Sequence, residues 1–274
     1  MGTNTAHETL IVDTKDFITT VRFNRPQRRN AMNPVMHAEM VDVLTHLATA
    51  DDTRVLVLTG EGNSFCAGQD LKEFFYDLDE DRLGRHRAAS DAQLWRGTLL
   101  RLFPKPTIAA VNGFCFGGAF TIVGNCDIAI AGAEATFGLS EVNFGKIAGG
   151  HVSKVLHENL HPRDAMYYLL TGKTFDAEEA SRIRLVTRTV PQGELMATVT
   201  ELATELAQKN PDVVRLSKEA YKYMRDMNWE EAEAWLQAKS RELDAITDKT
   251  WRKGVEQFNA GQYRPSSGQY DWQS

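Results

Sequence analysis

Residues 115–145 contain two features that could carry out chemistry, a pair of adjacent glycines and a single carboxylate in apolar company. The glycines, Gly117 and Gly118, precede a predicted helix and so expose backbone N–H groups at its positive end. Two such N–H groups aimed at one point form an oxyanion hole, in which each donor contributes a few kcal/mol. Close packing of a helix on a strand is the alternative explanation, and for the glycine pair alone it is the commoner one.

The carboxylate is Glu141, and between Ala133 and Gly145 its only charged companion is Glu134. A carboxyl group in an apolar pocket has a raised pKa because burial disfavours its charged form. That property suits it to exchange protons near neutral pH. A surface carboxylate or a salt-bridge partner is an equally good explanation at this point.

Other catalytic chemistries find little support in the sequence. The segment "GFCFGG" lacks the Lys-Ser/Thr of a P-loop and the spacing of a dinucleotide-binding loop. Ser140 adjoins Glu141 but no G-x-S-x-G elbow surrounds it, and Cys66 and Cys115 are expected to be buried structural thiols. The histidines lie apart, so no metal site is predicted, and His151 is expected to be structural or solvent-facing.

Composition places the chain among ordinary globular proteins. Of its 274 residues, 25% are charged and 42% hydrophobic, and the net charge of −6 with scattered Lys and Arg gives no reason to expect nucleic acid as a partner. No run of about 18 apolar residues predicts a membrane helix, and no secretory signal is visible. Three dispersed cysteines favour a reducing, cytoplasmic location.

The sequence patterns around these residues are typical of an α/β fold. Residues 8–24 alternate around a "TKD" turn and predict a hairpin, and Asn33 before Pro34 predicts the start of a helix. Short apolar strands are predicted at 54–60, 106–113 and 126–132, joined by right-handed crossovers. The glycine-containing turns "TGEGNSFCAGQDLKE", "NGFCFGGAF" and "SEVNFGKIAGG" follow strands, so we expect them to share one crevice.

Beyond about residue 160 the patterns are helical, with few strand candidates. We therefore divide the chain into an α/β core over 1–200 and a C-terminal helical region over 201–274. The long amphipathic segment in that region is expected to pack on its own core or on a neighbouring subunit. The closing "QYRPSSGQYDWQS" reads as irregular.

Taken together, the motifs resemble the crotonase (enoyl-CoA hydratase/isomerase) superfamily. They are "FNRPQRRNAM", "SFCAGQDLKEF", "KPTIAAVNGFCFGGAF", "CDIAIAGAEATFGLSEVNFG" and "YYLLTGKTFDAEEA", in the superfamily's order and spacing. The resemblance implies a spiral core of ββα repeats, and a C-terminal helical region that helps to form a homotrimer or a homohexamer. It also implies an acyl-CoA substrate, with coenzyme A as part of the thioester and no permanently bound cofactor.

The resemblance assigns roles to individual residues. Backbone N–H groups of Gln69 and Gly118 would hold the thioester oxygen. Glu141 would take a proton from water and return one to the α-carbon. The second glutamate of two-glutamate hydratases is replaced by Thr121, whose hydroxyl would position water. The residues expected near the coenzyme A portion are Arg29, Ala67, Asp70 and Leu71.

Within the superfamily the chain most resembles hydroxycinnamoyl-CoA (feruloyl-CoA) hydratase-lyases. This resemblance implies hydration of an aryl-acryloyl-CoA. Whether retro-aldol cleavage to an aldehyde and acetyl-CoA follows is left open. Two tyrosines expected to meet the phenol oxygen in those enzymes correspond here to Phe74 and Gln237, with Trp235 beside the latter. Phe74 and Trp235 could line a flat aromatic pocket, although simple core packing is the commoner role. An aliphatic enoyl-CoA hydratase or isomerase, and a catalytically inactive crotonase-fold binding protein, remain the alternatives.

Overall fold

The computed structural model describes residues 7–262. The closing segment that was predicted to be irregular, including "YRP", follows residue 262 and so lies outside the described residues. The strands are β1 (Leu10–Lys15), β2 (Ile18–Phe23), β3 (Val55–Gly60), β4 (Ser64–Cys66), β5 (Thr107–Val111), β6 (Phe114–Phe116), β7 (Ile128–Gly132), β8 (Thr136–Gly138), β9 (Thr174–Asp176) and β10 (Arg188–Val190).

The helices are α1 (Pro34–Thr49), α2 (Arg82–Gln93), α3 (Ala119–Asn125), α4 (Val152–Asn159), α5 (Pro162–Thr171), α6 (Ala177–Arg182), α7 (Leu195–Ala207), α8 (Pro211–Met224), α9 (Trp229–Ile246) and α10 (Trp251–Asn259). Helix α2 runs on as a π-helical segment over Leu94–Leu100, and shorter helical turns cover Leu71–Tyr76 and Glu141–Phe144. The predicted start of α1 is confirmed, since the Asn33 side chain accepts a hydrogen bond from Met36 N at 3.0 Å.

The predicted N-terminal hairpin forms, but its turn is not where the "TKD" signal put it. Strands β1 and β2 pair antiparallel up to Lys15 and Ile18, which leaves Asp16 and Phe17 as the loop. Both loop residues have positive φ, 51° and 64°, as the twist of a two-residue hairpin requires. The turn therefore lies one to two residues later than predicted.

Two sheets form the core, and the chain alternates between them. One sheet has the order β1-β2-β3-β5-β7-β10 and the other the order β4-β6-β8-β9. From β3 to β8, each strand of the first sheet is followed by a strand of the second, and α3 follows the pair β5 and β6. This repeated strand-strand-helix path is the spiral of ββα repeats that the resemblance implies, and it confirms the predicted α/β fold class.

The predicted strands at 54–60, 106–113 and 126–132 correspond to β3, β5 and β7, which pair in parallel. Every residue of β3 and β5 is buried, which explains why their sequences are continuously apolar. Strands β9 and β10 lie in the part of the chain where few strands were expected. Each has three residues, too short a run for a period of two to stand out.

The boundary predicted at residue 200 falls inside α7. Val199, Ala203 and Ala207 of this helix are buried against β3, β5 and β7, so α7 covers one face of the larger sheet. Helix α8 is joined to the core by an ion pair, in which Lys218 Nζ lies 2.6 Å from Asp127 Oδ2. In α9 and α10 no residue is buried among those described.

Candidate active site

A cavity of about 350 Å³ opens where the turns after β4, β6 and β8 meet. The prediction that the three glycine-containing turns share one crevice is therefore confirmed. Its described lining is mostly apolar and consists of Ala67, Gly68, Gln69, Leu71, Phe74, Phe75, Ala89, Ala92, Gln93, Arg96, Phe116, Gly117, Gly118, Ser140, Glu141, Phe144, Lys146, Ile147, Gly149 and Gly150.

Two unpaired backbone N–H groups lie close together on one wall of the cavity. Gly68 has φ +89°, and a Cβ added to it would lie 2.8 Å from Phe116 O and 3.3 Å from Gly118 N. Only glycine permits this approach of the two turns. Among residues 7–262, neither Gln69 N nor Gly118 N donates a hydrogen bond. Two free donors at adjacent turns are what an oxyanion needs.

Glu141 lines the same cavity and lies at the start of its short helical turn. Gly117 has φ +52°, and a Cβ added to it would lie 2.9 Å from Glu141 Oε1. Glu141 Oε2 is buried and has no hydrogen-bond partner in the described part of the chain. Burial raises the pKa of this carboxyl group above its usual 4.5, as its apolar setting predicted. A raised pKa suits the group to donate a proton as well as to accept one.

Thr121 lies on the first turn of α3 and is fully buried. Its hydroxyl group donates a hydrogen bond to Gly150 O at 2.7 Å, and its side chain does not line the cavity. The hydroxyl therefore fixes the segment that follows Glu141. Positioning of water by Thr121 stays a prediction.

The residues expected near coenzyme A separate into two groups. Ala67 and Leu71 line the cavity, and Leu71 is exposed. Arg29 is also exposed, and its guanidinium lies 4.5 Å from the centre of the Phe114 ring. Asp70, by contrast, is buried and does not line the cavity.

Asp70 has structural partners. Its carboxylate pairs with Arg25 Nη1 at 2.9 Å and accepts hydrogen bonds from the backbone N–H groups of Lys72 and Glu73. Burial acts to raise the pKa of Asp70, but these hydrogen bonds outweigh it, so the pKa is lowered. Asp70 thus caps the helical turn that carries Leu71 and Phe74 into the cavity.

Of the three predicted pocket residues, the structure brings one to the cavity. Phe74 lines it, and the ring of Phe75 lies 5.1 Å from that of Phe74, edge to face. Trp235 and Gln237 lie on α9 and do not line it. Trp235 packs on Tyr223, at a ring separation of 6.3 Å, and Gln237 is exposed.

Arg96 is a cavity residue that the sequence did not single out. It is buried, and its guanidinium donates to Ala92 O at 3.0 Å and Gly118 O at 3.2 Å. It forms no ion pair with a carboxylate in the range 7–262. Burial lowers its pKa to about 10, so it stays charged at neutral pH. A charged residue after Trp95 in the apolar run "LWRGTLLRLF" was the available signal.

His151 is the residue before α4 and has φ 69°. Its side chain is exposed and lies against Gly97. Across the described residues, no group of three or more His, Cys, Asp or Glu side chains is arranged to hold a metal ion. Within the same range, no helix combines the length and the apolar character needed to cross a bilayer.

Comparison with known proteins agrees with the fold. Residues 13–263 match the enoyl-CoA hydratase/isomerase family. The chain belongs to this family, and it is an enzyme of the hydratase/lyase class. Enzymes of the family act on coenzyme A thioesters without a permanently bound cofactor.

Individual relatives cover almost the whole chain. It is 43% identical over 255 residues to hydroxycinnamoyl-CoA hydratase-lyase of Pseudomonas fluorescens, covering 92% of each chain. It is 36% identical over 257 residues to mevalonyl-coenzyme A hydratase of Aspergillus fumigatus, covering 91% of this chain and 92% of the relative. The crystal structure of enoyl-CoA hydratase from Bacillus anthracis superimposes with a TM-score of 0.86 at 28% identity, covering 97% of this chain and 100% of the other.

Proposed function

We propose that this enoyl-CoA hydratase acts on an aryl-acryloyl-CoA of the feruloyl or hydroxycinnamoyl kind. The observation that carries the proposal is the buried, unpartnered Glu141 Oε2 in a cavity that also holds two unpaired N–H donors. The adjacent rings of Phe74 and Phe75 support a flat aromatic acyl group. The 43% identity to a hydroxycinnamoyl-CoA hydratase-lyase supports the same substrate class.

In the proposed hydration, Glu141 takes a proton from water and the water oxygen bonds to the β-carbon. The electrons of the carbon–carbon double bond move toward the thioester, whose oxygen becomes an enolate oxygen. The N–H groups of Gln69 and Gly118 stabilise that oxygen. The Glu141 carboxyl group then returns its proton to the α-carbon, so one carboxylate serves both transfers.

We extend the proposal to cleavage of the hydrated product. Glu141, deprotonated again after hydration, takes the proton from the β-hydroxyl group, and the bond between the α- and β-carbons breaks. The electron pair of that bond passes to the α-carbon, which gives the enolate of acetyl-CoA and releases an aromatic aldehyde. The Glu141 carboxyl group then returns its proton to the α-carbon of the enolate, which completes acetyl-CoA. This step uses the same oxyanion donors as hydration, which is why one site supports both reactions.

Oligomerisation and location are part of the proposal. We propose a homotrimer or homohexamer, supported by the apolar residues Trp251 and Val255, which α10 leaves exposed. They recur at the spacing of one helical face. A cytoplasmic location is supported by the three cysteines, which are free and buried.

The proposed substrate is tested by mass spectrometry of the products formed from feruloyl-CoA, cinnamoyl-CoA and crotonyl-CoA. We expect the aryl esters to give a mass gain of one water, and feruloyl-CoA also to give an aldehyde and acetyl-CoA. A preference for crotonyl-CoA of more than tenfold in kcat/KM would contradict the aryl assignment and favour an aliphatic hydratase.

A further inference from the structure

The side chain of Gln69 is held by two buried side chains behind the cavity wall. Trp95 Nε1 donates a hydrogen bond to His37 Nδ1 at 2.9 Å. His37 Nε2 in turn lies 2.8 Å from Gln69 Oε1. Trp95 and His37 are both fully buried, so water does not compete for these contacts.

Donor chemistry fixes the direction of this chain of hydrogen bonds. An indole N–H group can only donate, so His37 Nδ1 must accept. Burial, with the charge of Arg96 adding to it, lowers the pKa of His37 to about 3, so the ring is neutral at neutral pH. Its single proton is therefore on Nε2, which donates to Gln69. The Gln69 amide must present its oxygen to His37.

The amide NH₂ group of Gln69 is consequently left without a partner. Gln69 lines the cavity, and Nε2 forms no hydrogen bond within residues 7–262. The ring of His37 meets the ring of Phe74 edge to face at 5.5 Å, which brings the amide close to that part of the cavity wall. Gln69 Nε2 is not among the buried side-chain atoms without a partner, so it is accessible from the cavity and can donate a hydrogen bond to a ligand oxygen there.

Arg96 gives the same region a positive charge. Its Nη1 and the Cγ of Gln69 both lie within 4 Å of the Cβ position at Gly118, at 2.8 and 3.8 Å. Arg96 has no carboxylate partner among the described residues, and Glu141 is the one acidic residue in the described lining. This part of the cavity thus offers donors and positive charge, and it favours an electron-rich oxygen.

We propose that the Gln69 amide is a specificity-determining donor that binds an oxygen carried by the acyl group, and that Trp95 and His37 are positioning residues that fix its orientation. The oxygen is a phenol, aryl ether or carboxylate oxygen on an aryl ring that packs near Phe74. This proposal depends on the proposed function only in requiring that the cavity receives the acyl group of an aryl coenzyme A ester.

Binding of saturated esters tests this role without any turnover. The probes are 3-phenylpropanoyl-CoA and its 4-hydroxy, 4-hydroxy-3-methoxy and 4-carboxy derivatives, with Kd measured by calorimetry. We expect at least one oxygen-bearing ester to bind about tenfold more tightly than the unsubstituted one, the effect of a single hydrogen bond. Equal affinity for all four esters in the unmutated protein would overturn the proposal.

Two variants test the chain of hydrogen bonds. Gln69→Met removes the donor, and Trp95→Phe removes the N–H group that fixes the His37 tautomer. Both should bring the Kd ratio of oxygen-bearing to unsubstituted ester close to one. Phe23→Leu is the control, because Phe23 packs on Trp95 at a ring separation of 6.5 Å and takes no part in the hydrogen bonds; it should keep the ratio.

A ratio that survives in both Gln69→Met and Trp95→Phe would overturn the proposal. If Trp95→Phe does not fold, Gln69→Met decides alone, since Gln69 is half-buried at the cavity wall. Failure of the proposed function appears in a different measurement. Loss of aryl-acryloyl-CoA turnover in the unmutated protein would contradict the function while leaving these affinity ratios measurable.

Discussion

At the Glu141 carboxylate, burial raises the pKa and outweighs the hydrogen bond from the residue's own backbone N–H group, which lowers it. Oε2 itself is buried without a hydrogen-bond partner in the described part of the chain. Arg96 and Lys146 line the same cavity, but neither forms an ion pair with Glu141 in the described structure and neither contributes to its pKa shift. A raised pKa makes the protonated form easier to reach, which suits a single residue that must both take and return a proton.

Gly117 sets the distance between the glycine turn and Glu141. Gly117→Ala should lower kcat/KM by about tenfold or more, because the new Cβ would lie 2.9 Å from Oε1 and displace the carboxylate. It also strains a backbone at φ +52°. Steady-state kinetics on an aryl-acryloyl-CoA measure the effect.

Gly145→Ala is the matched control for Gly117→Ala. Gly145 also has positive φ, +75°, but no described atom lies within 4 Å of its added Cβ. It carries backbone strain without displacing Glu141. A loss of activity in Gly145→Ala equal to that in Gly117→Ala would show that strain, and not the carboxylate, explains the effect.

The raised pKa of Glu141 predicts the acidic limb of the pH profile. As a base, Glu141 must be deprotonated, so kcat/KM should fall as the pH drops through a midpoint above 4.5. The free energy of unfolding should change in the opposite direction, because the folded state binds this proton more tightly than the unfolded chain does. The contribution of Glu141 to the free energy of unfolding therefore falls as the pH rises above 4.5.

Kinetics between pH 4 and 8 measure the first effect, and urea unfolding of the unmutated protein and Glu141→Gln measures the second. The pH-dependent loss of stability should be smaller in Glu141→Gln. A kinetic midpoint at or below 4.5 would be inconsistent with a buried, unpartnered base.

At the scale of elements, the helical turn over Leu71–Tyr76 depends on Asp70. Asp70→Ala removes its cap and one partner of buried Arg25, and should lower the free energy of unfolding by about 3 kcal/mol, the lower end for breaking a buried ion pair. Asp77→Ala removes an exposed pair with Lys72 and should leave stability nearly unchanged. Chemical denaturation compares them. An equal loss of stability in Asp70→Ala and Asp77→Ala would argue against a capping role for Asp70.

Elements with a strong pattern were predictable from the sequence. Strands β3, β5 and β7 are apolar because both faces of the sheet are covered, and glycine turns follow strands, so their meeting at one cavity was predictable too. Strand β9 and strand β10 were missed because three residues carry no period.

The donors and charges around the cavity were harder to predict than its turns. His37 falls in the apolar stripe of α1, but spacing cannot tell which ring nitrogen bonds to Trp95. Arg96 comes to the cavity from a π-helical segment, whose period differs from that of an α-helix. The sequence singled out Thr121 as the residue in the glutamate position, but its hydrogen bond to Gly150 depends on contacts between distant segments and could not be predicted.

At the scale of the whole molecule, α10 leaves an apolar face uncovered. Val255→Asp should reduce a homotrimer or homohexamer to smaller species, because a carboxylate would be buried in the subunit contact without a partner. Light scattering after size-exclusion chromatography measures the mass. Trp229→Asp is the control, since Trp229 is 89% exposed and lies outside α10. An unchanged mass in Val255→Asp would contradict a contact through this face.

The most direct test of the central claim is turnover of an aryl-acryloyl-CoA by Glu141→Gln. The amide has nearly the same shape as the carboxylate but cannot carry the proton. We expect kcat to fall by about 10² to 10⁴ with the affinity for the ester changed by only a few-fold. Glu134→Gln, an exposed carboxylate nearby in sequence, should keep full activity. Turnover by Glu141→Gln within tenfold of the unmutated enzyme would contradict the account.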